Sequence, residues 1–329
     1  MTAGQDERIE SPSDAPDQQA TAPQIQSTEP PAESSAQSSA QASAQPDRDP
    51  ETHDLPTSAP FIGKVRPLPL LHLSPGVTHR TPTVALDGLS VGPFHVGAAS
   101  QAGTAHLIKG EPRQDAYDFV LTPEGRLVVA IADGLGSRRA SQVGARIFCE
   151  HATALAGTTD CTAAEYLVQA AALTSTTAEN NYGLHSEDIS FVGAVAVFDE
   201  AGEDVVDIAR VGDVSAFVLT SDGAISELFQ HDDAALNIVT ALLPGKGAPE
   251  PEEVRTGGDS QIVLTTDGLA TDLRNSTSLR EWLAQEWRLP VGPYAMADSL
   301  RYRRQGSHDD RTAVVVWRTK ESAAEPPVD

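Results

Sequence analysis

Cysteine is almost absent from this sequence of 329 residues. The two cysteines, Cys149 and Cys161, have neither the spacing of a disulfide framework nor that of a zinc site. We expect both thiols to be reduced, as is usual inside a cell. The first residues also lack the basic start and the apolar stretch of a signal peptide. These features together predict a cytoplasmic protein.

Positive charge and long apolar runs are also scarce. The chain carries 23 Lys and Arg against 47 Asp and Glu, which gives a formal net charge of −24. Binding to nucleic acid or to an anionic membrane needs Lys and Arg to neutralise phosphates, so this balance argues against both. No run approaches the roughly 18 apolar residues of a membrane-spanning helix. We therefore expect neither nucleic acid nor a membrane as a partner.

Aromatic residues are missing from the first 60 positions, which contain eleven acidic and two basic residues among many Ala, Gln, Ser and Pro. Such a segment buries too little apolar surface to offset the entropy lost on ordering. Residues 1–60 are therefore predicted to be a disordered acidic tail, and residues 61–90, where prolines separate short apolar runs, a linker. The body, residues 91–319, has the size of one domain, and residues 320–329 are predicted to be a disordered end.

The most informative stretch is Leu127–Ser137, which begins with six apolar residues and then breaks into Asp133-Gly134 and a second glycine. Six consecutive apolar residues suit a strand that is buried on both faces. A helical period follows and predicts a helix to about Ala156. A carboxylate at the mouth of a buried strand is held rigidly, which suits the binding of a divalent cation. A tight Asp-Gly turn is the alternative interpretation.

The rest of the body shows both strand and helix patterns. Thr162 and Glu165 have the spacing of a capping box, which predicts a helix to about Tyr182. Two more helices are predicted, around Ser278–Arg288 and Tyr294–Arg304. Strands are predicted at 89–100, 114–121, 127–132, 189–198, 205–211, 216–220, 225–229, 261–266 and 312–317. This order predicts an α+β fold, most simply a β-sandwich with helices on its outer faces.

Acidic residues recur at the ends of the predicted strands. A strand, an acid and a small or turn residue occur together at Asp133-Gly134, Gly212-Asp213, Asp267-Gly268 and Asp309-Asp310, with a fifth acid at Asp115. A fold that gathers strand ends would cluster these carboxylates, which repel one another unless cations lie between them. An oxygen-only cluster without nearby Cys or His favours Mg²⁺ or Mn²⁺ over zinc. Ordinary turn aspartates are the alternative.

Five short motifs carry a resemblance to a known family. They are Gln114-Asp115-Ala116, Ala132–Ser137, Val211–Ser215, Thr266–Leu269 and Asp309–Thr312. In order and approximate spacing they resemble the metal-dependent serine/threonine phosphatases of the protein phosphatase 2C (PP2C, PPM) family, especially its compact bacterial branch, over about residues 95–318. The resemblance implies a central antiparallel β-sandwich flanked by helices on both outer faces, in α-β-β-α layers. It also implies hydrolysis of phosphoserine and phosphothreonine on proteins by a water activated between two divalent cations.

The resemblance further implies roles for individual residues. Asp133 would bridge two Mn²⁺ or Mg²⁺ ions, and the carbonyl of Gly134 would bind the second ion. Asp267 and Asp309 would hold the first ion. Asp213 would contribute to a third, weaker metal site.

The segment before the first of these aspartates departs from the family. Asp115 would accept a hydrogen bond and orient water, but Gln114 stands where the family has a metal-binding glutamate. An amide oxygen still binds hard cations, although the site loses one negative charge. The family's phosphate-binding arginine is missing from its place, and Arg113, His106 and Lys109 are the nearby candidates to replace it.

Two further departures concern acids in the later motifs. Asp310 replaces a common asparagine, and Asp272 stands one position later than the acid that usually follows the Asp267 motif, which puts its role as a ligand in doubt.

Other classes of function compete with a metal-dependent protein phosphatase as interpretations of this sequence. A phosphatase with a cysteine nucleophile is excluded, because Leu155 and Leu167 stand where such enzymes need an arginine six residues after each cysteine. A catalytically silent module that regulates or binds phosphoproteins remains the alternative, favoured by Gln114 and the missing arginine. A hydrolase of small phosphoesters is a third candidate. For the phosphatase, we expect a phosphoprotein substrate, an opposing Ser/Thr kinase and a monomeric state.

Overall fold

The computed structural model describes residues 59–62, 81–199, 205–229, 242–245, 250–255 and 260–318, with the backbone alone for 250–255. The predictions for residues 1–58, for most of the linker and for the C-terminal end therefore lie outside the described residues. Both cysteines are free, as expected, with Cys149 buried and Cys161 half-buried. Among the helices of the described segments, none combines the length and the hydropathy needed to span a bilayer.

The described chain forms strands and helices in the following order. The strands are β1 Phe61–Ile62, β2 Val84–Val91, β3 Phe94–Gln101, β4 Ala116–Leu121, β5 Leu127–Gly134, β6 Phe191–Phe198, β7 Val205–Val211, β8 Ser215–Leu219, β9 Ile225–Glu227, β10 Glu250–Arg255, β11 Gln261–Thr265, β12 Arg303–Arg304 and β13 Arg311–Arg318. The helices are α1 Thr104–Lys109, α2 Ser141–Ala156, α3 Ala163–Tyr182, α4 Asp267–Asn275, α5 Thr277–Glu286 and α6 Pro293–Ser299.

Two antiparallel sheets form the centre of the fold. One has five strands in the order β10-β7-β6-β5-β4, and the other has six in the order β2-β3-β13-β11-β8-β9. The apolar core between the sheets includes Phe94, Val129, Ile131, Leu264 and Val314, which are all buried. A short parallel pair, β1 with β12, lies apart from both sheets.

Helices cover the outer face of each sheet. On the five-stranded sheet, Phe148 of α2 and Tyr166 of α3 pack with Val128 of β5. On the six-stranded sheet, Leu269 of α4 packs in the same cluster as Trp317 of β13. The residues of β5 therefore alternate between the inner core and the helical layer, and Leu127–Ala132 are fully buried. The predicted α+β sandwich with helices on both outer faces is confirmed.

The first strand was predicted incorrectly. The expected single strand at 89–100 is a hairpin, in which β2 pairs with β3 through a two-residue turn at Gly92-Pro93. Gly92 has a φ of 53°, a conformation that glycine adopts without steric cost. Asp87-Gly88 lies inside β2 opposite Ala98 and Gly97. Most of β2 thus falls within the segment 61–90 that was predicted to be a linker.

The helix predictions succeeded where capping signals were present. Helix α3 has the predicted capping box, in which the Thr162 hydroxyl and the Glu165 carboxylate each accept from the other residue's backbone N–H. It ends at Gly183, whose φ of 63° is left-handed. Helices α1 and α4 were not predicted, and the helix expected at 294–304 ends at Ser299, because the chain then turns into β12.

Candidate metal centre

The predicted acidic residues all lie at one end of the sandwich. In the five-stranded sheet, Asp115 precedes β4 and Asp133 is the seventh residue of β5, and the pairing of Ala116 with Ala132 sets them side by side. Asp213 lies in the short turn that carries the chain from β7 to β8, and so from one sheet to the other.

The six-stranded sheet brings the remaining acids to the same end. Thr265, the last residue of β11, pairs with Ser215 on one side and with Ala313 on the other. Asp267 begins α4 two residues after this strand end, and Asp309 lies just before β13. The strand register therefore gathers carboxylates from widely separated parts of the chain.

The charges of these carboxylates interact strongly. Burial, followed by the negative charges of Asp115, Asp267, Asp309 and Asp213, raises the pKa of Asp133 well above its ordinary value. Burial and then the charges of Asp309 and Asp213 raise the pKa of Asp267 to about 7, although a hydrogen bond with Asp133 acts in the other direction. Among the described residues, no Lys or Arg forms an ion pair with Asp133, Asp213, Asp267 or Asp309. The cluster therefore lacks a compensating positive charge in that part of the chain.

The cluster is buried on one side and open on the other. Asp115 and Gln114 are only 2% and 6% exposed. Asp133 and Asp267 are half-buried, while Asp309 is exposed to solvent. The carboxylates therefore line a site that a ligand can approach from outside.

Asp115 forms the floor of the site. Its Oδ2 accepts hydrogen bonds from the hydroxyls of Thr266 and Thr312, both at 2.7 Å. Burial and the nearby charge of Asp310 raise the pKa of Asp115 well above its ordinary value, against the effect of these two hydroxyls. Thr266 directly precedes Asp267, and Thr312 follows Asp309 by three positions. Asp115 therefore joins the two segments that carry these predicted ligands. Both threonines belong to the sequence motifs, but no local pattern indicates this role for them.

Two glycines allow the loop of Asp309 and Asp310 to lie close to its neighbours. A β-carbon on Gly268 would lie 2.0 Å from the carbonyl oxygen of Asp310 and 3.3 Å from Cβ of Asp309. A β-carbon on Gly103 would lie 2.2 Å from the carbonyl carbon of Asp309. The loop is thus held between the first turn of α4 and the chain that leads into α1. No local sequence pattern indicates this contact, since the residues that form it are separated by up to about 200 positions.

Asp310 organises the segment around Gln114. Its Oδ1 accepts from the backbone N–H of Gly103 at 2.6 Å and lies 2.8 Å from Nδ1 of His106. Its Oδ2 accepts from the backbone N–H of Gln114 at 2.6 Å. Burial alone would lower the pKa of His106, but the hydrogen bond and the negative charge of Asp310 outweigh burial and raise it. The buried Asp310 therefore holds both flanks of α1 against the Asp309 loop.

Asp133-Gly134 is not the tight turn considered as an alternative. Both residues belong to β5, where Asp133 pairs with Val192 and Gly134 with Phe191. A β-carbon on Gly134 would lie 2.9 Å from the Oγ of Ser141. The glycine is therefore needed because the first turn of α2 packs directly against the end of the strand.

Arg113 is buried beside the chain that leads into β2, and its contact with phosphate stays a prediction. Its side chain is 6% exposed, and its Nε donates to the carbonyl oxygen of Pro82 at 3.1 Å. The backbone carbonyl of Arg113 accepts from the hydroxyl of Thr81 at 2.6 Å. The guanidinium thus faces the chain that leads into β2, away from solvent. His106 lies beside the acidic cluster, near Asp309 and Asp310, and its contact with phosphate stays a prediction.

Asp272 lies away from the acidic cluster, in a buried network of its own. Its Oδ1 accepts from Arg304, and its Oδ2 accepts from the hydroxyls of Tyr302 and Ser307. Both oxygens are thereby occupied by protein donors. The doubt about Asp272 as a ligand is consistent with this arrangement.

The donor chemistry of the cluster fits divalent cations. Asp133, Asp213, Asp267 and Asp309 offer carboxylate oxygens, and Gln114, which precedes Asp115 in the chain, offers an amide oxygen. Hard cations such as Mg²⁺ and Mn²⁺ prefer oxygen ligands of this kind. Positive ions would also relieve the repulsion that raises the pKa values of Asp133 and Asp267.

Comparison with known proteins agrees with this geometry. The family described as protein phosphatase 2C matches residues 102–302, which is more than half of the chain. The chain therefore belongs to the protein phosphatase 2C family. No match was found among curated protein sequences.

Solved structures show the same fold at low sequence identity. RsbX in complex with magnesium is 14% identical, with a TM-score of 0.51, over 71% of this chain and 100% of RsbX. The catalytic domain of the serine/threonine protein phosphatase PstP in complex with two manganese ions is 17% identical, with a TM-score of 0.51, over 69% and 99%. The S. agalactiae serine/threonine phosphatase is 17% identical, with a TM-score of 0.50, over 69% and 100%.

Proposed function

We propose that this chain hydrolyses phosphoserine and phosphothreonine on proteins with the help of two Mn²⁺ or Mg²⁺ ions. The observation that carries the proposal is the convergence of Asp133, Asp267 and Asp309, whose mutual repulsion is offset by no Lys or Arg in the described segments. Membership of the protein phosphatase 2C family supports the same class of reaction. Neighbouring folds have been solved with magnesium or with two manganese ions.

Each residue of the cluster has a role in this proposal. Asp133 and the carbonyl of Gly134 would hold the ions together with Asp267 and Asp309, while Asp213 would serve a third, weaker site. When bound, such ions acidify a water molecule and offset the charge that develops on the phosphoryl group. Asp115 would orient that water, since its position is fixed by the Thr266 and Thr312 hydroxyls.

The open side of the site is accessible to a protein substrate. Asp309 is exposed, and Asp133 and Asp267 are half-buried, so a phosphorylated side chain on another protein can approach these carboxylates. We propose that the substrate is made by a Ser/Thr kinase and that the phosphatase acts as a cytoplasmic monomer.

The test is turnover of an aryl phosphate and of a phosphothreonine peptide, with Mn²⁺ and with excess chelator. We expect hydrolysis only with metal. Asp133→Asn and Asp267→Asn should each lower kcat by orders of magnitude, because charge stabilisation of the transition state is lost. Circular dichroism would verify that the variants remain folded.

The possible results separate the competing functions. Wild-type rates in either variant would contradict the assigned roles. Binding of Mn²⁺ without turnover of either substrate would select the catalytically silent module. Turnover of the aryl phosphate alone would select a hydrolase of small phosphoesters.

A further inference from the structure

A buried carboxylate outside the acidic cluster lies on the helix that carries one of the predicted ligands. Asp272 is 2% exposed and sits in α4, the helix that begins at Asp267. The two side chains lie five positions apart on one rigid helix. The position of Asp267 is therefore tied to whatever holds Asp272.

The donors to Asp272 come from a single segment of the chain. The hydroxyl of Tyr302 donates at 2.6 Å, the guanidinium of Arg304 at 2.7 Å and the hydroxyl of Ser307 at 2.5 Å. The guanidinium of Arg311 lies 3.6 Å away. These four residues span the stretch from the end of α6 to the start of β13.

The same stretch contains Asp309, which lies between Ser307 and Arg311. The guanidinium of Arg311 donates to the carbonyl oxygens of Leu300 and Tyr302 and to the hydroxyl of Ser307. Its guanidinium also lies over the ring of Tyr302, 4.0 Å from the centroid. The path of the chain on either side of Asp309 is thus fixed by groups that meet at Asp272.

We propose that Asp272 is a positioning residue, which sets the separation between the Asp267 and Asp309 carboxylates and thereby the affinity for divalent cations. This inference rests on the proposed function, because it concerns the same metal centre. Asp272 itself contacts no ion, since both of its oxygens accept hydrogen bonds from protein donors.

The test compares Asp272→Asn and Tyr302→Phe with the wild type. An Asn at 272 keeps the shape of the side chain but removes its charge and one acceptor oxygen, while Tyr302→Phe removes a single hydrogen bond. Mn²⁺ affinity is measured by calorimetry without substrate, and kcat is measured on an aryl phosphate as a function of Mn²⁺ concentration.

Loss of a residue that orients metal ligands typically lowers affinity by about 10–100-fold. We expect a loss in this range for Asp272→Asn and a smaller loss for Tyr302→Phe. The concentration of Mn²⁺ for half-maximal activity should rise in parallel. A loss of Mn²⁺ affinity that the matched control does not show separates positioning from general destabilisation.

The matched control is Asp118→Asn. Asp118 is a half-buried carboxylate in β4, where its Oδ2 accepts from Thr153 at 2.7 Å. The Asp118→Asn substitution should alter the stability of the fold without altering Mn²⁺ affinity. If Asp272→Asn does not fold, Tyr302→Phe and Ser307→Ala provide the milder test.

The outcomes distinguish this inference from the proposed function. Unchanged Mn²⁺ affinity in the folded Asp272 or Tyr302 variants would overturn the positioning role alone. A wild-type chain that binds Mn²⁺ without turnover would overturn the phosphatase, while calorimetry would still decide the role of Asp272. A wild-type chain that binds no Mn²⁺ would overturn both.

Discussion

Replacing Gly268 with alanine tests whether the spacing of the site depends on the close contact between α4 and the Asp309-Asp310 loop. The new β-carbon would lie 2.0 Å from the carbonyl oxygen of Asp310. Non-bonded heavy atoms are most stable at about 3.5–4.0 Å, so the two backbones must separate by more than about 1 Å. The atom that blocks the β-carbon belongs to the backbone, and no side-chain rotation relieves the clash.

Two opposing effects decide the stability of Gly268→Ala. Alanine is favoured over glycine in a helix by up to about 1 kcal/mol, and Gly268 lies in the first turn, where the gain is smaller. Overpacking costs about 1–3 kcal/mol. We expect a net loss of folding free energy of about 1–2 kcal/mol, but a much larger effect on function. A displacement of about 1 Å at a catalytic group can lower the rate by roughly 100-fold.

The assay combines calorimetry with Mn²⁺ and kcat/KM on an aryl phosphate. Gly157→Ala is the control, because its β-carbon would lie 3.5 Å from the carbonyl oxygen of Ala154, an ordinary contact near the end of α2. We expect Gly157→Ala to leave Mn²⁺ affinity and kcat/KM unchanged. If Gly268→Ala also kept both quantities, the contact would not set the geometry of the site, and the reasoning would be refuted.

Two further predictions concern the charge of the cluster. The folded-state pKa values of Asp115, Asp133 and Asp267 lie above their ordinary values, so the metal-free folded protein binds more protons than the unfolded chain. Its unfolding free energy should therefore fall as pH rises from about 4 through about 7. For Asp267 alone, a folded-state pKa of about 7 against an ordinary value of 3.8 gives an upper bound of about 4 kcal/mol. Tm measured with chelator at pH 5.5 and pH 8 checks the sign, and Mn²⁺ should remove the decrease. A metal-free Tm that rises over this interval would contradict the prediction. Gln114→Glu adds a carboxylate, so it should tighten Mn²⁺ binding while lowering the metal-free Tm at pH 8; unchanged calorimetric affinity would mean that Gln114 does not face the ions.

The layers of the fold could be predicted because the apolar pattern of each element is local. The continuous apolar run of β5 and the capping box of α3 each depend on neighbouring residues. Helix α4 was missed because its sequence, Asp267–Asn275, contains a glycine, two aspartates and an asparagine, which are poor helix formers. It forms because Leu269 and Leu273 are fully buried against the six-stranded sheet. Tertiary packing thus overrides propensity at the position where Asp267 must be placed.

The acids of the site were predictable from their positions after strands, whereas the contacts that hold them were not. The hydrogen bond from Thr312 to Asp115 joins residues 197 positions apart, and that from Gly103 to Asp310 joins residues 207 apart. No local pattern encodes such pairs. The same limit applies to Arg113, since nothing in its sequence neighbours indicated that the carbonyl oxygen of Pro82 would accept from its guanidinium.

The two departures at Gln114 and Asp310 are joined in space. Relative to the pattern that this chain resembles, Gln114 removes a negative charge and Asp310 adds one, so the number of carboxylates near the site is unchanged. The structure shows that the exchange is not equivalent, because the Asp310 carboxylate accepts from the backbone of Gly103 and Gln114 and contacts His106. Its charge therefore serves mainly to hold these segments against the Asp309 loop. Metal affinity in this chain should consequently depend more on how firmly Asp133, Asp267 and Asp309 are positioned than on the number of acids near them.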